Sequence, residues 1–417
     1  MRILFVHQNF PGQYKHLAPS LANSPANQVV AIGEEVNVKR AFGLHPRIRL
    51  LGYRQPQGAA KTTHHYLHSS EAATRRGQSV LRVAIALREQ GFVPDLICAH
   101  PGWGEALFLK DAYPDTPLLL YLEFFYRARG SDMGFDPEFP TSFDDQCRLR
   151  IRNATQLISL EAADAGLSPT KWQREQYPEA FRDRIQVIHD GVQTDLVCPA
   201  KVIDFALPGG ATLQSGDEVL TYVARNLEPY RGFHTFMRAL PAVLAARPDV
   251  QVLVVGGDEV SYGRRLPPGQ TYREIYLREV AGAIDGRRVH FMGKLPYPRF
   301  LDALRLSSAH VYLTYPFVLS WSLLEAMSCG CPVIASDTAP VREVVKPGRN
   351  GLLVDFFSPA ALAETIVAVL ADPARVQVMR AQARRDIREQ LDLERTTLPQ
   401  LLALVKRLAA RPGRRRV

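Results

Sequence analysis

No stretch of this 417-residue chain approaches the roughly twenty apolar residues that a membrane-spanning helix needs. The longest candidate, "PLLLYLEFFY", carries Glu123, so any membrane contact is expected to be peripheral. Cysteine is scarce and odd in number, five residues at positions 98, 147, 198, 329 and 331. They form neither a disulfide framework nor paired C-x-x-C ligands, which fits a reducing cytoplasm. The start "MRILFVHQNF" has one charge and a short apolar run, and reads as a buried strand and not as a signal peptide. The G-x-G-x-x-G fingerprint is missing from the first loop, which argues against a nicotinamide or flavin dinucleotide. There is no P-loop, no G-x-S-x-G elbow and no D-x-D triplet, and no His or Cys cluster, so no metal site is expected.

What is present is an ordinary globular composition, 46% hydrophobic and 22% charged. The length suits two domains, because single cores stop growing at about 250 to 300 residues. Lysine and arginine total 51 against 42 acidic residues, a net +9, and much of the excess follows residue 374. Charge of this kind favours phosphate ligands, anionic membranes or nucleic acid without choosing among them. A solvated basic face and tail is the alternative. Nucleic acid is disfavoured because the charge lacks a stacking motif.

Short β-rich runs alternate with helical segments, the pattern of parallel sheets covered on both faces. In the first half the runs are "RILFV", "QVVAIG", "RIRLLGY", "DLICAH", "PLLLYLE", "QLISLE" and "IQVIHDG". In the second they are "VLTYVAR", "VQVLVVGGD", "VHFMGK", "AHVYLTYP", "CPVIASD" and "NGLLVDF". Helices are expected at 13–22, 71–90, 232–247, 298–306 and 358–371. The aperiodic segment 198–218 is the expected linker. The predicted architecture is α/β, with two facing Rossmann-like doubly wound domains and a cleft between them: a first domain over 1–200, a second over 201–372, and C-terminal helices with a basic tail over 373–417. Ligands of such sheets sit beyond the carboxyl ends of strands.

Five places there can carry chemistry. Gly12 in "QNFPGQYKHLA" lets a ligand approach backbone amides at an expected helix start, or simply serves a tight turn. His100 ends the strand of "DLICAHPGWGE" in a Gly-rich turn, where it can bond a hydroxyl or remain structural. Arg225 and Arg231 in "VARNLEPYRGFH" flank a helix start and can neutralise a diphosphate leaving group. "SLLE", Ser322 to Glu325, reads either as a capping box or as helix-start amides for phosphate with Glu325 on a ribose diol. The acidic, aromatic segment 121–145, with Glu123, Asp132, Asp136, Glu138, Asp144 and Asp145, is either a binding loop or a solvated one.

Taken together these motifs resemble glycosyltransferase family 4, the retaining sugar-nucleotide enzymes of GT-B fold. The likeness runs from "MRILFVHQNFPGQYKHLA" to "NGLLVDFFSPAALAETIVAVLADP" and is most specific in "LEAMSCGCPVIASDTAPVREVVKPGRNGLLV". It implies that Arg225 and Arg231 hold the donor pyrophosphate and that Glu325 binds the ribose. The amides of Ser322, Leu323 and Leu324 would take phosphate oxygens. The Lys294 to Leu295 backbone would border the base, Gly12 would lie near the phosphates and His100 near the transferred sugar. The resemblance further implies a metal-independent transfer with no cofactor, the nucleoside diphosphate sugar being the donor substrate, to a hydroxyl of a glycan or lipid-linked glycan. One departure stands out: Phe317 occupies the place of the family's first glutamate, which contacts the donor sugar. Glu123, or another carboxylate of the 121–138 loop, is the expected substitute. A sugar-nucleotide epimerase and a catalytically silent sugar-nucleotide binder are the alternatives. The expected location is cytoplasmic, and docking of the basic C-terminal helices on an anionic membrane is the alternative to a solvated basic face.

Overall fold

The structure, a computed structural model, describes residues 1–40 and 43–411, so the tail expected beyond Arg411 lies outside the described residues. The chain forms two compact units, Met1–Gly191 with Glu394–Val417, and Val192–Leu393.

The first unit is built on β1 (Arg2–Val6), β2 (Gln28–Glu34), β3 (Ile48–Tyr53), β4 (Leu96–Ala99), β5 (Leu118–Tyr121), β6 (Ala165–Ser168) and β7 (Ile185–Val187). They pair in parallel in the order β3-β2-β1-β4-β5-β6-β7. Both faces are covered, as continuous apolar runs require. Leu4 and Val6 face one core cluster, Ile3 and Phe5 the other. The second cluster also holds Leu401, Leu404, Val405 and Leu408 of the helix Leu398–Ala409. The apolar stripe of that helix is therefore spent on the first sheet, at ~1.5–3 kcal/mol for each fully buried large side chain. Its exposed positions are Pro399, Gln400, Ala403, Lys406 and Arg407, with no large apolar side chain among them. The described part of the 373–417 segment is thus divided: the helix Pro373–Gln390 buries Ala383 and Ile387 in a cluster of the second unit.

Two expectations fail here. "QLISLE" is the end of the helix Phe143–Ala162, not a strand. Ser142 and Asp145 cap its start reciprocally, and Leu149, Asn153, Gln156 and Leu160 are buried at helical spacing. The strand is instead β6, "AGLS", too small and short to signal itself. The helix expected from residue 13 is a single 3-10 turn, Gly12–Tyr14, followed by a short helix, Leu17–Ala22.

The second unit carries β8 (Asp204–Ala206) and β9 (Thr212–Gln214), an antiparallel hairpin inside the segment expected to be the linker. Phe205 and Leu213 bury against Val219 and Leu253, so this segment belongs to the second core, and the boundary falls at Gly191/Val192. Its main sheet comprises β10 (Val219–Asn226), β11 (Gln251–Gly257), β12 (Val289–Gly293), β13 (Ala309–Tyr312), β14 (Val333–Ser336) and β15 (Leu352–Val354). The order is β12-β11-β10-β13-β14-β15, all parallel. In each main sheet the order reverses once, at β1/β4 and at β10/β13. In sheets of this kind ligands bind beyond the carboxyl ends of the strands at such a reversal.

Candidate functional site

At the first switch point, His7 directly follows β1 and His100 directly follows β4. Both rings are buried, 5.1 Å apart between centroids and nearly perpendicular, and Trp103 stacks on His100 at 4.6 Å. Each ring is oriented by its own turn: Asn9 N–H donates to His7 Nδ1 at 2.9 Å, and Gly102 N–H to His100 Nδ1 at 3.1 Å. With both Nδ1 atoms acting as acceptors, both Nε2 atoms carry the hydrogen. His7 Nε2 donates to Gln13 Oε1 at 2.7 Å, and Gln13 Nε2 donates to Glu123 Oε1 at 3.0 Å. His100 Nε2 lies 3.6 Å from Glu123 Oε2 and makes no hydrogen bond to any described residue. Glu123 itself follows β5, with its carbonyl tied by Gln173 at 2.5 Å and about a third of its side chain exposed, 34%.

Burial pushes the His7 imidazole down to about 3, reinforced by His100. For Glu123, burial alone would raise the carboxyl; the nearby His100 Nε2–H, the neighbouring His7 and the Gln13 donor outweigh it and hold the group below its usual range. Gly12 serves this network directly. Its φ is +48°, and a Cβ there would stand 2.4 Å from His7 Cε1. The expected helix-start amides at Gly12 are not offered by a helix: Tyr14 N–H and Lys15 N–H bond Pro11 O and Gly12 O. Of the acidic loop, Glu123 joins this network. Asp144 accepts from the Tyr66 hydroxyl, and Asp145 caps its helix.

At the second switch point, Arg225 is the penultimate residue of β10 and its side chain is exposed. Arg231 is buried, only 8% exposed. Its Nη1 donates to Thr314 Oγ1 at 2.7 Å, Val318 O at 3.2 Å and Tyr312 Oη at 3.3 Å. Among the described residues no carboxylate oxygen lies within ion-pair distance of it. Gly232, with φ +66°, turns the chain from Arg231 into the helix Phe233–Ala246, and a Cβ there would meet Leu313 Cβ at 2.4 Å. Glu228, buried just before, accepts from Ser261, Tyr262 and Gly263 N–H at 3.1, 3.1 and 2.8 Å, which pins the loop after β11 beside Arg231.

The helix following β13 is Trp321–Ser328, capped by Ser320, whose hydroxyl faces Ser322 N at 3.4 Å. The "SLLE" capping box does not form. Glu325 sits in the second turn and accepts from the Tyr297 hydroxyl at 2.7 Å. Leu323 N–H already bonds Ser320 O at 3.3 Å, so the expected set of free amides at Ser322, Leu323 and Leu324 is partly used inside the helix start. Lys294 pairs with Glu259 at 2.7 Å, and Leu295 borders the core. Phe317 is buried among aromatics, 4.9 Å from the Tyr262 ring and 5.5 Å from Tyr230, with Arg231 Cζ 6.0 Å away. The residues that sequence reasoning left without a role are His7, Gln13, Glu228 and Tyr297. Polar residues just after a strand end are the signal that marks His7 and Glu228; Gln13, within the Gly12–Tyr14 turn, carries none.

Two doubly wound units, one presenting an imidazole–carboxylate group and the other guanidiniums beside a helix start, define the class: the GT-B fold of sugar-nucleotide enzymes. The Thermosynechococcus elongatus sucrose-phosphate synthase structure matches at TM-score 0.73 and 19% identity over 98% of this chain and 99% of that one. Anabaena HepE in complex with UDP-glucose matches at 0.68 and 17%, over 98% and 99%. These likenesses show the fold. A family model described as "Glycosyl transferase family 4 group" matches residues 25–197, and "Glycosyl transferases group 1" matches residues 210–386. The chain belongs to glycosyltransferase family 4. A GDP-mannose-dependent phosphatidylinositol monomannoside mannosyltransferase of Corynebacterium glutamicum is 31% identical over 170 residues, 39% of this chain and 40% of that protein. D-inositol 3-phosphate glycosyltransferase of Kribbella flavida is 25% identical over 314 residues, 72% and 68%. With the first of these relatives the alignment spans about two-fifths of the relative's length. Among the described residues no helix is long and apolar enough to cross a membrane.

Proposed function

We propose that the protein transfers a sugar from a nucleoside diphosphate sugar to a hydroxyl acceptor, a glycan or lipid-linked glycan, with retention of configuration and without a metal ion. The observation that carries this reading is Arg231, a buried guanidinium solvated by two hydroxyls and a carbonyl, with no acidic partner among the described residues. A buried cation costs several kcal/mol unless an anion offsets it. A diphosphate supplies that anion, and its charge grows as the glycosidic bond breaks, so the stabilisation increases towards the transition state. Arg225 adds a second cation, and the amides before Leu324 add dipoles. Glu325 takes the ribose diol, and the Lys294–Leu295 backbone borders the base.

His100 has its Nδ1 engaged and a hydrogen on Nε2, so it donates and does not serve as a base. Glu123 Oε2 accepts. One sugar hydroxyl can therefore receive from His100 and donate to Glu123, a role that Phe317 cannot fill. In the retaining route the departing phosphate takes the acceptor's proton. Relatives named for a phosphatidylinositol monomannoside and for D-inositol 3-phosphate support a hydroxyl acceptor. The test is to incubate the protein with UDP- and GDP-sugars, with EDTA, with and without glycan or lipid-linked acceptors, and to measure free nucleoside diphosphate. Release that requires an acceptor is expected. A free epimer released without acceptor, or tight nucleotide binding with no release, overturns transfer.

A further inference from the structure

We infer that Gln13 is a positioning residue for Glu123, anchored by His7, and that a hydrogen-bond chain of fixed direction turns one carboxylate oxygen inward and leaves the other for substrate. The direction follows from the backbone. Asn9 N–H occupies His7 Nδ1, so His7 must donate from Nε2; its acceptor is Gln13 Oε1. That bond decides which end of the Gln13 amide faces Glu123, namely the NH2, which donates to Oε1. Oε2 accepts no hydrogen bond from any described residue and faces the buried, unbonded His100 Nε2–H. Gly12 permits this arrangement, since any side chain there would collide with the His7 ring. Gln13 reaches no reacting atom in this role; it acts through Glu123.

The inference rests on the reading that Glu123 acts on substrate, but its geometry is testable without turnover. An amide N–H donated to a carboxylate favours the ionised form, so removing it raises the carboxyl's titration midpoint. The other groups facing Glu123 are His7, His100, Tyr121 and Tyr177, with Asp190 held on the Tyr121 hydroxyl at 2.7 Å. Burial keeps both phenols neutral far above the usual range and keeps His7 neutral down to about 3.

Three variants separate positioning from scaffolding. Gln13→Leu removes both bonds. Gln13→Glu keeps an acceptor for His7 while replacing the donor with a second carboxylate. Glu123→Gln assigns the Glu123 carboxyl signal in 13C-labelled protein. In Gln13→Leu the Glu123 midpoint is expected to rise by about one pH unit, and in Gln13→Glu by about two. The acid limb of kcat/KM should move upward with it, while kcat at pH 8 for Gln13→Leu falls by about tenfold, as expected for the loss of one hydrogen bond to a carboxylate. A Glu123 midpoint unmoved in both variants overturns the inference, as does an activity loss equal at all pH values. If wild type releases no nucleotide with any donor, the transfer reading fails on its own, and the NMR midpoints still decide the role of Gln13.

Discussion

The two switch points share a topology and differ in how their charges are satisfied. At β1/β4 the polar groups bond one another: His7, Gln13 and Glu123 form a chain, with His100 alongside. At β10/β13 the buried Arg231 touches only neutral oxygens, and Arg225 stands in solvent. A doubly wound sheet thus fixes where ligands bind and not which charge they carry. The residue types at the strand ends set that, an imidazole–carboxylate pair suited to hydroxyls in one unit and guanidiniums suited to phosphate in the other.

The contrast breaks most readily at Arg231. Arg231→Ala should lower kcat/KM for the nucleotide sugar by about 10³-fold, since a buried cation on a leaving diphosphate acts mainly in the transition state. Arg231→Lys should recover part of this loss, because a point charge remains while the planar donor fork is lost. Steady-state kinetics alongside thermal unfolding checks this; a folded Arg231→Ala with near-normal turnover would remove the phosphate role from the second unit. Glu123→Gln should act differently, lowering kcat by about 10²-fold while nucleotide affinity, read by calorimetry with the diphosphate alone, stays within about twofold. Equal losses of affinity in both variants would erase the division of labour between the units.

Acid weakens both units by the same route. His7 in the first and His310 in the second are buried neutral, each pushed down to about 3 by burial. Their folded values lie below the unfolded one near 6.5, so the unfolded chain binds more protons, and stability present above that pH is lost progressively as pH falls towards 3. Glu123, held low, adds a further loss as pH falls through its own midpoint. Urea midpoints at pH 7, 5 and 4 should fall, and His7→Gln should flatten the decline in the first unit only. Hydrogen exchange assigned to each unit separates the two, and an unchanged slope in His7→Gln would contradict it.

Much of the fold was legible because parallel strands buried on both faces write themselves as apolar runs. It failed where local signals competed: "QLISLE" is apolar enough for a strand, yet the Ser142/Asp145 cap and a helical spacing upstream claim it. The placement of Arg231 was readable from the strand before it and Gly232 after it. The orientation of Gln13 was not, because it depends on a tautomer set by Asn9 N–H and on a carboxylate more than a hundred residues away. The capping-box alternative for "SLLE" failed similarly: Ser320, not Ser322, caps the helix, and Glu325 accepts from Tyr297.

The smallest expected effect lies at that last pair. Tyr297 is 44% exposed, so Tyr297→Phe should leave stability nearly unchanged. The hydroxyl nevertheless holds Glu325 Oε1 at 2.7 Å and fixes the rotamer that a ribose diol would meet. The Glu325 carboxylate in turn holds the phenol neutral: burial, then Glu325, pushes the hydroxyl far up, so the bond persists across the working pH range. Losing one hydrogen bond to a carboxylate is worth about 1.5 kcal/mol, or about tenfold. Because the ribose is remote from the reacting bond, the loss should appear in donor KM with kcat unchanged. A change in kcat and not in KM would place Glu325 on the reacting sugar instead, and would make the second unit more than a holder of the nucleotide.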